Sequence, residues 1–381
     1  MRKYIKFILL FLFAAFIFWF FGRNLNWDEV SQSFRQANPF YLALATFIIC
    51  LGYLLRAKRW QVLLEPITPS NLRELFATTT VGFTAVFLIG RMGEIVRPMW
   101  LPMRDKRVRP SAALVTLGVE RIFDLASIIC FFAINLLFYT APAGREADFG
   151  YIKFVGNLML AGAIAGFIAL IVFQRISAPT ISFFERITDK SFIPAKIRAI
   201  FLSLLRQLAA ALGILRDWRE ILSVSFWTLT LWLAIALPTW FVLLAFDLPL
   251  TFTDSLFIMG FAAFSSVIPT PGGAAGAFHT ATAASLIFLN VPKEKAAAAS
   301  IAMHLVYFAP AIFFGLYYFL RGDISVSGFR HLLTSENAVE EIESEAPNSS
   351  SEAKDQRTKI EGQKEKVDFQ IANRKSEIEN L

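Results

Sequence analysis

Apolar runs of about 20 residues recur along the chain, and a run of that length is what a helix needs to cross the hydrocarbon core of a bilayer. Six of them are expected to be full crossings, at 4–22, 39–55, 117–139, 151–176, 221–246 and 296–320. Two further apolar regions, 72–90 and 255–289, are interrupted by Gly and Pro and read as re-entrant or broken helices, the alternative being ordinary, slightly polar crossings that would bring the total to nine. The fold class that follows is an all-α, polytopic integral membrane helical bundle. Composition agrees: 56% of the 381 residues are hydrophobic, 40 are Phe, and only 18% are charged, which does not fit a water-soluble core.

The charge is unevenly placed. The formal net charge is +7, yet residues 335–381 hold 12 acidic and 7 basic residues, so the surplus of Lys and Arg lies in the apolar part. The positive-inside rule and anionic lipid explain that surplus, and no nucleic-acid partner is expected. The basic stretches at Arg56, Lys58 and Arg59, at 91–109 and at 175–206 are expected to be loops facing the cytoplasm, with both termini on that side. The two interrupted regions then enter from opposite sides and point at each other.

Two domains are expected: 1–330 in the membrane and 331–381 as a charged, disordered cytoplasmic tail too short to build a catalytic core. Residues 1–22 read as a retained signal anchor, because the apolar run is bulky and no small-residue cleavage site follows it. Residues 194–218 carry apolar positions at helical spacing beside basic ones. They read as an amphipathic helix, either on the cytoplasmic leaflet or packed on neighbouring loops. Cys50 and Cys130 lie in apolar stretches and read as small buried hydrophobes.

Three polar constellations stand out against this background. In Gly90-Arg91-Met92-Gly93-Glu94-Ile95-Val96-Arg97, a helix would project Arg91, Glu94 and Arg97 from one side. Two guanidiniums can fork onto phosphate oxygens while the carboxylate between them holds their rotamers. The alternative is a basic loop with a structural ion pair. In Ile268-Pro269-Thr270-Pro271-Gly272-Gly273-Ala274-Ala275-Gly276-Ala277-Phe278-His279, the prolines stop one helix and the glycines turn the chain. The next helix would then start with free backbone N–H groups, a site for an anion or polar headgroup. The alternative there is a plain extracellular turn, and His279 is open as a proton donor, a ligand or a hydrogen-bond partner. The third run, Glu120-Arg121-Ile122-Phe123-Asp124, opens an apolar stretch and can form an ion cluster or pair with Arg91 or Arg97. Its alternative is a snorkelling anchor at the membrane edge.

No G-x-S-x-G, H-E-x-x-H or C-x-x-C motif is present, and three histidines without nearby carboxylates do not suggest a metal. Neither a cofactor nor a catalytic residue is therefore expected. A membrane-embedded transferase on a polyprenyl-phosphate or glycolipid substrate stays open, with Glu94, Glu120 or Asp124 as acid or base. So does an accessory role beside an envelope-lipid enzyme, or a homo-oligomer.

Taken in order, G-R-x-G-E-x-x-R at 90–97, E-R-x-x-D at 120–124 and P-T-P-G-G-x-x-G at 269–276 resemble the lysylphosphatidylglycerol synthase transmembrane (flippase-like) family, over about residues 4–320. The resemblance implies an inner-membrane protein that flips a phospholipid or lipid-linked phosphate headgroup across the bilayer. Its substrate site would comprise Arg91, Glu94, Arg97, Glu120, Arg121, Asp124, Pro269, Pro271, Gly272, Gly273, Gly276 and His279. Two features depart from the pattern: His279 stands where the family is often acidic, and one extra residue lies within the turn. Both leave proton coupling and headgroup type open. The short tail stands in place of the aminoacyl-transferase domain of the fused synthases, so lysine transfer is not implied.

Overall fold

The computed structural model describes residues 21–65, 67–189, 217–265 and 271–321, together with isolated positions among 16–19 and 198–213. The expected first crossing, the amphipathic stretch at 194–218 and the charged tail lie largely or wholly outside the described residues.

The described chain is all helical. A short helix α1 (Trp27–Gln36) precedes α2 (Pro39–Leu64), each opened by an asparagine whose side chain accepts a backbone N–H of its first turn. Next come α3 (Leu72–Ile89), a 3₁₀ segment (Gly90–Ile95) and α4 (Val96–Arg104). They are followed by α5 (Pro110–Phe138), α6 (Glu146–Arg175), α7 (Ser177–Asp189) and α8 (Trp218–Ala245). The chain continues through α9 (Phe252–Ser265), α10 (Pro271–Phe288) and α11 (Lys293–Arg321). Among the described residues, six helices are long and apolar enough to cross a membrane: α2, α3, α5 from Ala112, α6, α8 and α11.

Helix boundaries differ from the sequence expectation wherever charges lie inside a helix. The second crossing continues past Leu55 to Leu64 and so absorbs Arg56, Lys58 and Arg59, which were expected in a loop. The segment 91–109, also expected to be a basic loop, is mostly the 3₁₀ turn and α4, leaving only 105–109 as a connection. The physical reason is the same in both places. Cross-helix ion pairs satisfy the buried Arg59 and Arg97, so the backbone has no need to leave the helix to bring them to water.

α3 turns back on itself. Gly93 lies against the α3 backbone, where an added Cβ would fall 2.3 Å from the Ala85 carbonyl carbon and the Val86 nitrogen. Further back, Gly82 faces the Arg97 stem, and near the base Arg104 Nε meets Glu74 Oε2 at 2.6 Å. Residues 72–104 are thus an antiparallel hairpin with its tip at Gly90, whose φ of 70° favours glycine. The second interrupted region is likewise a hairpin, since Phe257 near the start of α9 stacks on Phe288 at the end of α10, with ring centroids 5.6 Å apart.

α11 serves as the ruler that relates the two. The first hairpin lies against its C-terminal half, through Phe76 on Tyr318, Thr84 donating to Ala311 O at 2.8 Å, and Phe87 on Phe308. Gly315 makes this close approach possible, with Thr84 and Thr80 where a side chain would go. The second hairpin lies against the N-terminal half, where Phe278 meets His304 and Gly273 meets Phe308. The two tips therefore arrive from opposite ends and meet near the middle of α11, at the level of His304 to Phe308.

Candidate functional site: a charged cavity between two hairpin tips

The polar heart of the bundle grows from α5. Glu120 and Asp124, one helical turn apart, project toward α2 and α4 and draw three arginines onto them. Arg97 forks onto Glu120, with Nη1 to Oε1 at 2.9 Å and Nη2 to Oε2 at 3.1 Å. Arg59 forks onto Asp124 at 2.5 and 3.1 Å and also reaches Glu120 Oε1 at 3.0 Å. Arg121 closes the ring on Glu120 at 3.2 Å, Asp124 at 3.4 Å and Glu94 at 3.7 Å.

Surrounding groups fill out the network. The Arg97 guanidinium stacks 4.4 Å above the Trp60 ring. Trp232 donates its indole N–H to Asp124, and Thr228 approaches Arg59. Arg59 and Glu120 are fully buried, and Arg97 and Asp124 nearly so. Charges held this deep persist only as mutually paired groups.

Beside this network lies a cavity of about 530 Å³, within the range of small-molecule sites. Its lining includes Gly90 and Glu94 from the first hairpin tip, Gly273 and Ala274 from the second, and Arg121 and Asp124 from α5. Arg56, Trp232, Thr239 and Tyr307 complete the polar wall. The rest is apolar, with Phe83, Val86, Ile258, Met259, Phe278 and Phe308. The polar wall is cross-braced: Tyr53 donates to Tyr307 O at 2.8 Å, and the Tyr307 hydroxyl donates to Ile235 O at 2.8 Å beside Thr239.

The expected site residues divide between cavity and framework. Glu94, Arg121, Asp124 and Gly273 line the cavity. Arg97 and Glu120 do not: their terminal atoms are committed to one another in the buried network. Among the described side chains Glu94 contacts Arg121, and the 3₁₀ turn at 90–95 breaks the continuous helix that would have aligned positions 91, 94 and 97. The backbone of Arg91 belongs to that turn, while its side chain lies outside what is described, as do Pro269 and the ring of Pro271.

At the second tip, Gly272, Gly273 and Ala274 all adopt left-handed backbone, with φ of 73°, 63° and 60°. The right-handed helix therefore begins only after Ala274, which places Gly276 inside it and not in the turn. Next to this turn His279 and His304 are buried with ring centroids 4.8 Å apart, and His279 also stacks on Phe21.

Sequence reasoning passed over Arg56, Arg59, Tyr53, Tyr307 and Trp232. The available signal was helical periodicity continuing beyond Leu55, with Tyr53, Ala57, Trp60, Leu63 and Leu64 all buried on one face and Arg59 among them. Cys50 and Cys130 are free and only partly buried, so they do not join the core.

Comparison with known proteins places this architecture. The chain is 23% identical over 327 residues to a UPF0104 membrane protein of Pyrococcus horikoshii, an alignment covering 80% of this chain and 91% of that relative. The family described as "Lysylphosphatidylglycerol synthase TM region" matches residues 7–315, a stretch that takes in both hairpins, the buried ion network and the cavity between them. This is a multi-pass membrane protein, and it belongs to that family.

Proposed function

We propose that the protein translocates a phosphate-bearing lipid headgroup across the membrane, with the cavity between the two hairpin tips as the place where the headgroup leaves water. The observation that carries this reading is the meeting of two opposed hairpins at a cavity that is charged on one wall and apolar on the others. An amphiphile needs both kinds of wall, and ionisable residues held inside an apolar bundle are costly unless they serve a ligand or pathway. The basic base of the first hairpin, at Arg104, Lys106, Arg107 and Arg109, supports a cytoplasmic position for that end by the positive-inside rule. Cell (inner) membrane residence with both termini cytoplasmic is part of the same proposal.

The test is movement of a fluorescent phospholipid in proteoliposomes. Purified protein is expected to accelerate transbilayer exchange over protein-free vesicles, and Glu94→Ala combined with Arg121→Ala is expected to abolish the acceleration. Exchange no faster than in empty vesicles overturns the proposal.

One observation favours a second reading. Among the described residues, Glu94 is the cavity carboxylate with the longest ion-pair distance, 3.7 Å from Arg121, which suits a general base in group transfer to a lipid-linked acceptor. Glu120 and Asp124 are locked by forked arginines and suit that role less well. Consumption of a labelled donor by purified protein, without transbilayer movement, would replace translocation with transfer.

A further inference from the structure

Among the described side chains, four guanidiniums and three carboxylates gather at the cavity and its buried network: Arg56, Arg59, Arg97 and Arg121 against Glu94, Glu120 and Asp124. Three of the arginines are accounted for by ion pairs. Arg56 is not, for among the described residues it forms neither an ion pair nor a hydrogen bond, and its guanidinium lies 4.8 Å over the Phe83 ring. The surplus of one positive charge is therefore concentrated on a half-buried side chain that faces the cavity.

Of the hydroxyls in the wall, that of Tyr307 donates to Ile235 O and lies beside that of Thr239. Leu125 lines the same cavity while being 56% exposed, which marks an opening toward the surroundings of the bundle on the α5 side. Elsewhere in the lining, Val86, Met259 and Phe278 offer only apolar contact.

We propose that Arg56 is the anchor of a phosphodiester headgroup carrying one negative charge, whose hydrocarbon chain leaves past Leu125. One such anion cancels the surplus, and the planar guanidinium can fork onto two of its oxygens. The volume holds a headgroup and its linker, so the chains remain outside. This assignment shares its cavity with the translocation reading, but it concerns binding and is tested without a bilayer.

The experiment uses the full chain in an uncharged, phosphate-free detergent, with the intrinsic tryptophan fluorescence, to which Trp232 in the cavity wall contributes, as the readout. Dihexanoylphosphatidylglycerol, dihexanoylglycerol and inorganic phosphate are titrated in turn. Phosphatidylglycerol is expected to bind at least about tenfold more tightly than either of the others, and Arg56→Gln to lose about tenfold for phosphatidylglycerol alone. The ligand-free unfolding temperature of Arg56→Gln is expected to fall only slightly, since the contact with the Phe83 ring is lost but no ion pair is.

Equal binding of dihexanoylglycerol overturns the role of the phosphate. Equal binding of inorganic phosphate overturns the lipid. If Arg56→Gln does not fold, Arg56→Lys decides, because it keeps the charge and loses the fork, and unchanged affinity there overturns the assignment. Wild-type protein that binds phosphatidylglycerol through Arg56 yet moves no lipid leaves this inference standing and removes translocation. Rapid translocation with Arg56→Gln binding like wild type does the reverse.

Discussion

The hairpin of residues 72–104 is closed by charged side chains, whereas the hairpin of residues 252–288 is closed by backbone and rings. In the first, Arg97 reaches out of the hairpin to Glu120, Glu94 to Arg121, and Arg104 returns to Glu74. In the second, three successive left-handed residues turn the chain, and Phe278, His279, His304 and Phe308 pack around them. Two tips meeting at one cavity thus hold their positions by different forces. Ion pairs in a low-dielectric interior tie the first hairpin to α5 and resist displacement, with Arg97 also stacked on Trp60 of α2. Aromatic packing and a strained turn hold the second with contacts that can re-form after a small shift, which makes it the tip better suited to move.

The largest expected effect tests the ionic tip. Glu120→Ala removes the acceptor shared by Arg59, Arg97 and Arg121, and leaving buried charges uncompensated costs about 3–5 kcal/mol. Thermal unfolding in detergent should show it. An unchanged midpoint would mean that the first tip does not depend on charge, and the contrast between the hairpins would collapse.

A pair of glycine substitutions sharpens the contrast next. Gly93→Ala drives a Cβ into the backbone of Ala85 and Val86, which cannot rotate away, so opening the first hairpin is expected to cost about 3 kcal/mol or more. Gly273→Ala meets the Phe308 ring at 2.7 Å and a φ of 63°, for a loss of about 1–2 kcal/mol. Part of that second loss should return when Phe308→Leu is added, while no single side-chain truncation should rescue Gly93→Ala. Unfolding midpoints of the three variants decide the matter.

Smaller effects follow from the bracing between helices and from the base of the first hairpin. Tyr53→Phe removes the hydrogen bond that the hydroxyl donates to Tyr307 O, worth about 1 kcal/mol. It is also expected to alter lipid binding in the cavity less than Arg56→Gln does. The smallest effect concerns Asp105, between α4 and α5, whose carboxyl is held below its ordinary range by the hydrogen-bonded guanidinium of Arg107. A depressed carboxyl contributes stability that is present above the unfolded-state value of about 4 and is lost as pH falls through the folded-state value. Acid unfolding of Asp105→Asn should therefore show a slightly weaker dependence on pH below about 4 than wild type.

The sequence by itself determined the class of the fold and the two interruptions in it. Long apolar runs leave a helical bundle in lipid as the only way to satisfy the backbone, and Gly90, Pro271, Gly272 and Gly273 mark where helices must break. It also singled out Glu120, Arg121 and Asp124, because charges inside an apolar run need partners. That this run could pair with Arg97 was legible in the sequence, but Arg59 as the partner of Asp124 and the forked geometry were decided by tertiary structure. Arg97 lies 23 residues from Glu120 and Arg59 lies 65 from Asp124, and an ion pair depends on distance in space, to which local periodicity is blind. The same holds for Arg56. One helix position separates a charge facing a loop from one facing a cavity, and only the packing of α2 against its neighbours sets that rotation.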